Sequence, residues 1–194
     1  MKLAVIRYNA GNIRSLSFAL ERLGVDFIVT GDREEIAAAD KVIFPGVGEA
    51  SSTMAHLCET GLDKLIPQLT QPTLGICLGM QLMCAASEEN TTTCLGIFPE
   101  VVKRIPADNG LKVPHMGWNT LENVGDWLSE NLNGQYAYFV HSYAVPVNEH
   151  TSATCKYGIE FSAALHRNNF YAVQFHPEKS AGSGEAILKR FLEL

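Results

Sequence analysis

Two short stretches carry residue types at spacings that suit nucleophilic chemistry. The first is Pro72-Thr73-Leu74-Gly75-Ile76-Cys77-Leu78-Gly79-Met80-Gln81-Leu82. An apolar run ends in Gly-x-Cys-x-Gly, and a near-continuous apolar pattern from Met80 to Ala86 follows at once, which reads as a strand, a one-residue turn and a buried helix. A thiol at the apex of such a turn stands in a strained backbone conformation, so the residues two positions away must be small; Gly75 and Gly79 meet that demand. The helix behind it points free N–H groups and its positive dipole end at the sulfur, which favours the thiolate. The second stretch is His176-Pro177-Glu178. Pro177 fixes its own backbone angle and bars His176 from helical geometry, so His176 and Glu178, two apart in extended chain, point the same way. A carboxylate beside an imidazole sets its tautomer and stabilises its charged form. Cys77, His176 and Glu178 in that order make a coherent nucleophile, proton carrier and orienting carboxylate. Each stretch by itself also has a plainer reading: a small buried apolar residue between turn glycines, and a strand end with an incidental His and Glu.

The elements that must position these residues follow from periodicity. Leu3 to Tyr8 reads as a buried strand, and Asn9-Ala10-Gly11-Asn12 turns the chain, with Asn12 a good helix N-cap. Ile13, Leu16, Leu20 and Leu23 mark one helical face, stopped by Gly24. Val25 to Thr30 is a second strand, a short helix runs through Ile36 and Ala37, and Asp40 to Phe44 is a third strand. The strand before Cys77 is then the fourth. Alternation of this kind predicts an α/β fold with a mostly parallel sheet flanked by helices, whose ligands bind at the carboxyl ends of the strands. Pro45-Gly46-Val47-Gly48-Glu49 follows the third strand at that same end. Its glycines let backbone N–H groups approach a developing oxyanion, one of them pairing with that of Leu78, although a plain Gly-rich turn has the same composition. It lacks the Gly-Lys-Ser/Thr ending of a phosphate loop.

From about Asn90 the texture becomes β-type: Glu100 to Ile105, Gln135 to Val140, Thr151 to Cys155 and Glu160 to His166, with hairpin-type turns at Pro106 to Gly110 and Asn133-Gly134. Only Asp126 to Leu132 looks helical in this part, and the Gly-rich stretch around His115 and Trp118 reads as a turn. No linker separates the halves, so this is expected to be an antiparallel β extension of a single domain, residues 1–194. The chain closes with a strand from Phe170 to Phe175 and a helix carrying Ile187, Leu188, Phe191 and Leu192 on one face.

Composition narrows the class. The chain has 194 residues, is 46% hydrophobic, and has a net charge of −6 with no Lys/Arg cluster, which argues against nucleic acid as a partner. No run is long and apolar enough to span a membrane, and the start is too short and too soon charged for a signal peptide. Five cysteines without framework spacing favour reduced thiols and a cytoplasmic enzyme. Cys58, Cys84, Cys94 and Cys155 read as packing thiols. His56, His150 and His166 have no metal-ligand spacing, so neither a metal nor a cofactor is expected.

Gly75-Ile76-Cys77-Leu78-Gly79-Met80-Gln81 with Phe175-His176-Pro177-Glu178 resembles the class I (triad) glutamine amidotransferases, a flavodoxin-like fold, and Pro45-Gly46-Val47-Gly48 resembles that family's oxyanion strand. Within the family, three further stretches resemble the glutaminase subunits of imidazole glycerol phosphate synthase. These are Tyr8 to Ser15, Val113-Pro114-His115-Met116-Gly117-Trp118-Asn119, and Tyr138-Phe139-Val140-His141-Ser142-Tyr143. Arg7 departs from the pattern, which leads one to expect an apolar residue or an aspartate there. The resemblance implies that Cys77 attacks the side-chain amide of L-glutamine and that His176, held by Glu178, moves the proton. N–H groups of Leu78 and of Gly46, Val47 or Gly48 would hold the oxyanion, and Gly46-Val47-Gly48 is the candidate gating segment. It implies that Gln81, His141, Ser142 and Tyr143 hold the amino-acid end of the substrate. It also implies a heterodimer with a TIM-barrel cyclase subunit, with Asn12, His115 and Trp118 on the partner side. From the residues alone, a cysteine hydrolase of γ-glutamyl compounds and a catalytically silent binding module of the same fold stay open.

Overall fold

The computed structural model describes residues 1–8 and 13–194. The elements in order are β1 (Leu3–Ile6), α1 (Ile13–Arg22), β2 (Phe27–Thr30), α2 (Arg33–Ala37), β3 (Lys41–Gly46), α3 (Ala50–Thr60), α4 (Leu62–Leu65), β4 (Thr73–Cys77) and α5 (Leu78–Met83). Then come β5 (Ala86–Ser87), β6 (Thr92–Thr93), β7 (Val101–Arg104), β8 (His115–Thr120), β9 (Tyr136–His141), β10 (Tyr143–Ala144), β11 (Thr151–Tyr157), β12 (Ile159–Arg167), β13 (Phe170–Val173) and α6 (Ala181–Glu193).

The main sheet has the order β11-β12-β13-β4-β3-β1-β2. Strands β13, β4, β3, β1 and β2 run parallel, and β12 and β11 extend the sheet antiparallel. The period-2 alternation of a strand sends its apolar residues to two different cores. On β1, Leu3 and Val5 join the core under α1 and α6, while Ala4 and Ile6 join the one under α2, α3 and α5. Both faces are therefore covered, and the strands read as unbroken apolar runs. A second sheet, β10-β7-β5-β6, and the pair β8-β9 lie outside the main sheet.

The structure differs from the sequence expectation in four stretches. Pro177–Lys179, expected to continue in extended chain from His176, is a 3-10 turn, because the fixed φ of Pro177 suits the first position of a helical turn. Asp126 to Leu132 is not a helix: Asp126 takes φ 58, and only Glu130–Leu132 form a single 3-10 turn. Trp127, Leu128 and Leu132 gave the stretch its apolar spacing because each is buried from a turn. Residues 106 to 110 do not close a hairpin, since β7 pairs with β10 and β5 while β8 pairs with β9. The stretch around His115 and Trp118, which resembles a Gly-rich turn, is instead the strand β8, with Gly117 at φ 138 inside it.

Candidate active site

Three neighbouring parallel strands, β3, β4 and β13, bring the chemistry together at their carboxyl ends. Gly46 is in register with Cys77, and Ile76 with Val173. The turn after β3 is thus the oxyanion candidate, the end of β4 is the thiol, and the chain leaving β13 carries Gln174 and His176.

Cys77 sits between β4 and α5 with φ 54 and ψ −108. Such a conformation costs an L-residue on the order of 1–3 kcal/mol and persists only where its surroundings hold it. Here the glycines allow it. A Cβ on Gly79 would run into the Phe44 carbonyl, and one on Gly75 would lie 2.8 Å from Met83 Sδ and 3.0 Å from Met80 N. Helix α5 can therefore press directly on β3 and β4, with its first turn behind the sulfur.

His176 Nδ1 lies 2.9 Å from Glu178 Oε1, and both side chains are buried. The backbone fixes this pair: His176 N–H donates to Tyr138 O, and Ser180 Oγ–H donates to His176 O while accepting from Tyr138 N–H. Burial lowers the imidazole's pKa, but Cys77 and Glu178 beside it outweigh burial and push it up to about 10. His176 Nε2 has no hydrogen-bond partner of normal geometry among the described residues. The Cys77 thiol instead points at Val140 O, 3.8 Å away. A catalytic hydrogen bond that tightens only when substrate arrives has this appearance.

The oxyanion candidates are not equivalent. Tyr8 Oη–H donates to Pro45 O at 2.6 Å, and a Cβ on Gly46 would lie 2.6 Å from Gly79 N and from that same hydroxyl. Gly46 is locked. Gly48 takes φ 113, is exposed, and has open space where a Cβ would stand. Freedom to turn an N–H therefore lies at Val47 and Gly48. Leu78 opens α5 and lines the same cavity.

That cavity, about 310 Å³, is bounded by Cys77, His176, Val47, Gly48, Gln81 and the Val140–Tyr143 segment. Of the expected substrate residues, Ser142 and Tyr143 line it with side-chain hydroxyls that have no partner among the described residues. Gln81 and His141 line it too, but their donors are engaged elsewhere. Gln81 Nε2 donates to Tyr143 O (2.9 Å) and Gln174 Oε1 (3.0 Å), leaving its carbonyl oxygen. His141 Nδ1 donates to Tyr143 O at 2.8 Å, because a carbonyl can only accept. Its Nε2 is then the acceptor for His115 Nδ1–H, 3.0 Å away.

His115, expected beside Trp118 on the partner side, points inward: it is 3% exposed and stacked on Tyr157 (4.0 Å) and Phe139 (4.9 Å). On a strand, neighbours face opposite ways. Met116 and Trp118 are 64% and 52% exposed, and with Tyr136 at 58% they form an apolar face. Met116 and Pro114 also line the cavity, so that face reaches its mouth. Asn12 lies outside the described residues. Sequence reasoning missed Glu89, Gln174 and the role of Tyr8. Glu89 lines the cavity while accepting from Ala50 N–H, and burial raises its carboxyl pKa. No local spacing links any of the three to Cys77.

Burial holds His115 down at about 4 and His141 down at about 3; for His141 the bond to Tyr143 O opposes burial, and His115 and His176 reinforce it. The unfolded chain protonates both rings near 6.5 and the folded chain does not. Stability from these rings is therefore complete above pH 6.5 and is lost as pH falls toward 4 and then 3, at roughly 1 kcal/mol per pH unit per ring. Urea denaturation should show a midpoint falling over that window. The NMR ring signals of His115 and His141 should stay neutral down to pH 5, and a midpoint near 6.5 for either ring would contradict this.

Comparison with known proteins agrees with the geometry. The imidazole glycerol phosphate synthase subunit HisH of Bacteroides fragilis (strain YCH46) is 60% identical over 196 residues, covering 100% of each chain. The subunit of the same name from Idiomarina loihiensis is 47% identical over 194 residues, covering 100% of this chain and 98% of its own. A crystal structure of a glutamine amidotransferase superposes with a TM-score of 0.76 at 20% identity, over 98% of this chain and 97% of that one, a likeness of fold alone. The model of the family described as glutamine amidotransferase class-I matches residues 4–194, nearly the whole sequence. An elbow thiol backed by a buried His–Glu pair is what a triad amidotransferase requires, and this chain belongs to the class I glutamine amidotransferase family.

Proposed function

We propose that the chain hydrolyses L-glutamine to L-glutamate and ammonia and passes the ammonia to the cyclase subunit of imidazole glycerol phosphate synthase, which makes imidazole glycerol phosphate and AICAR in histidine biosynthesis. The observation that carries this reading is the strained thiol at φ 54 held against the buried His176–Glu178 pair in a cavity of amino-acid size. Relatives bearing the synthase subunit's name along the full chain support the choice of partner.

In this mechanism Cys77 gives its proton to His176, and the sulfur attacks the side-chain amide carbon of glutamine. The oxygen becomes anionic and accepts from Leu78 N–H and from an N–H at Val47 or Gly48; one such donor is worth about 3 kcal/mol. His176 returns the proton to the departing nitrogen, ammonia leaves, and a thioester remains. Water, losing a proton to His176, then cleaves the thioester to glutamate and restores the thiol. Glu89 presents a carboxylate of the right sign for the substrate's α-ammonium, while Ser142 and Tyr143 hold the rest of the same amino-acid end. The unit of residues 1–194 acts as one domain, in the cytoplasm. No described helix is long and apolar enough to cross a membrane.

Ammonia released into water is largely protonated and no longer nucleophilic, so a glutaminase needs an acceptor beside it. The apolar face of Met116, Trp118 and Tyr136 at the cavity mouth is the place for the cyclase. Coupling requires a two-state element that the partner's ligand biases, and Val47–Gly48 is that element. Steady-state glutaminase kinetics test this on three samples: the isolated chain, the complex, and the complex with the phosphorylated ribulosyl aminoimidazole-carboxamide nucleotide. Turnover should rise in that order, chiefly in kcat. Equal turnover in all three would remove the coupling, and an isolated chain as fast as the loaded complex would indicate a free-standing hydrolase.

A further inference from the structure

We propose that Gln174 is a positioning residue for the nucleophile: its side-chain amide donates to Cys77 Sγ and holds the sulfur for attack once the thiol proton has moved to His176. This rests on the glutaminase reading above and assigns a role to a residue outside the triad.

The sulfur has two hydrogen-bond contacts of opposite character among the described residues. Val140 O accepts from the thiol at 3.8 Å, and Gln174 Nε2 donates to the sulfur at 3.8 Å. When the proton leaves, the Val140 carbonyl faces an anion with nothing to accept and becomes repulsive. The Gln174 contact changes in the other direction, because an N–H donated to an anion is shorter and stronger than one donated to a neutral group. Ionisation therefore moves the sulfur's best position away from β9 and toward Gln174.

The direction of the Gln174 amide is fixed by logic that does not involve the sulfur. Tyr143 O is a backbone carbonyl, so the Gln81 atom 2.9 Å from it must be the NH₂ group. The second hydrogen of that group needs an acceptor, and the Gln174 atom 3.0 Å away must be Oε1. Gln174 is left with its NH₂ toward Cys77. Flipping it would set two NH₂ groups against each other at a side chain with no exposure to solvent. Gln174 leaves β13 two residues before His176, with its own N–H held by Ala163 O. One short piece of chain thus delivers both the proton carrier and the donor that steadies the sulfur.

The test uses the full chain in complex with its cyclase, and the variant Gln174→Met, which keeps length and lacks the amide. Glutamine turnover should fall about tenfold in kcat with a smaller change in KM, since the amide touches the sulfur and Gln81 rather than substrate. Capture of Cys77 by iodoacetamide at fixed pH should slow by a similar factor. Unchanged kcat and unchanged capture would overturn the proposal, and so would a lower kcat with unchanged capture. Should Gln174→Met fail to fold, side-chain amide NMR of the native chain and of Cys77→Ala decides. One Gln174 amide proton should be shifted downfield by the sulfur and lose that shift in Cys77→Ala; identical resonances in both proteins would refute the contact. A wild-type complex that does not hydrolyse glutamine would instead defeat the glutaminase reading, an outcome the NMR comparison does not depend on.

Discussion

Cys77→Ala is expected to abolish glutamine hydrolysis, a loss of at least ~10⁴-fold, while the chain keeps its fold and its cyclase. No other described thiol stands in the cavity that Cys77 lines. The substitution removes one buried sulfur and leaves the backbone strain at φ 54 as it was, so thermal unfolding should move little. Ammonium salt separates the two halves of the reaction. The complex carrying Cys77→Ala should still run the cyclase on added ammonium, because ammonia then arrives from solution. Residual glutaminase activity would mean that another group is the nucleophile. Failure of ammonium to support the cyclase would mean that the variant had damaged the interface.

His176→Ala should have the next largest effect, because in the proposed mechanism one imidazole serves as both general base and general acid, a function worth about 10²–10⁴-fold. Glu178→Gln keeps the shape but removes the charge facing His176 Nδ1 at 2.9 Å. It should be damaging but milder, and wild-type rates in Glu178→Gln would demote Glu178 to a structural residue. Stability supplies a second readout with its own sign. The folded imidazole is raised to about 10, so the stability it contributes is complete below pH 6.5 and is lost as pH rises through about 10. Glu178→Gln should flatten that alkaline decline, whereas the acid decline from His115 and His141 should persist. A variant that flattened both would show that the two buried clusters are not independent.

The two predictions rest on groups that the sequence exposes by local rules. Gly75 and Gly79 around Cys77, and Pro177 between His176 and Glu178, constrain the backbone within a few residues. Such constraints survive without knowledge of the fold. The alternation of buried strands and amphipathic helices is equally local, which is why the parallel sheet and its chemically useful end could be read from periodicity. Where the local signal was weak, the reading failed. Helix α3 went unrecognised because Ser51, Ser52 and Thr53 dilute its apolar face. Strand β8 resembles a turn because of Gly117, and Asp126 to Leu132 resembles a helix because turn residues there are buried at helical spacing.

Other assignments depended on groups far apart in the chain. Gln81 and Gln174 meet across 93 residues, Gln174 and Cys77 across 97, and Tyr8 and Pro45 across 37. His115 and Trp118 lie three apart, yet the pleat of β8 sends one into an aromatic stack and the other toward solvent. The sequence by itself determined the local geometry of the groups proposed to react, because the elbow and the His-Pro-Glu turn are set by neighbouring residues. Only the tertiary structure decided how those atoms are held. It spent the donors of Gln81 and His141 within the scaffold, locked Gly46 and left Gly48 free, and aimed Gln174 at the sulfur. The physical reason is that a buried polar group must find a partner wherever the fold places one, and residue order does not record that distance.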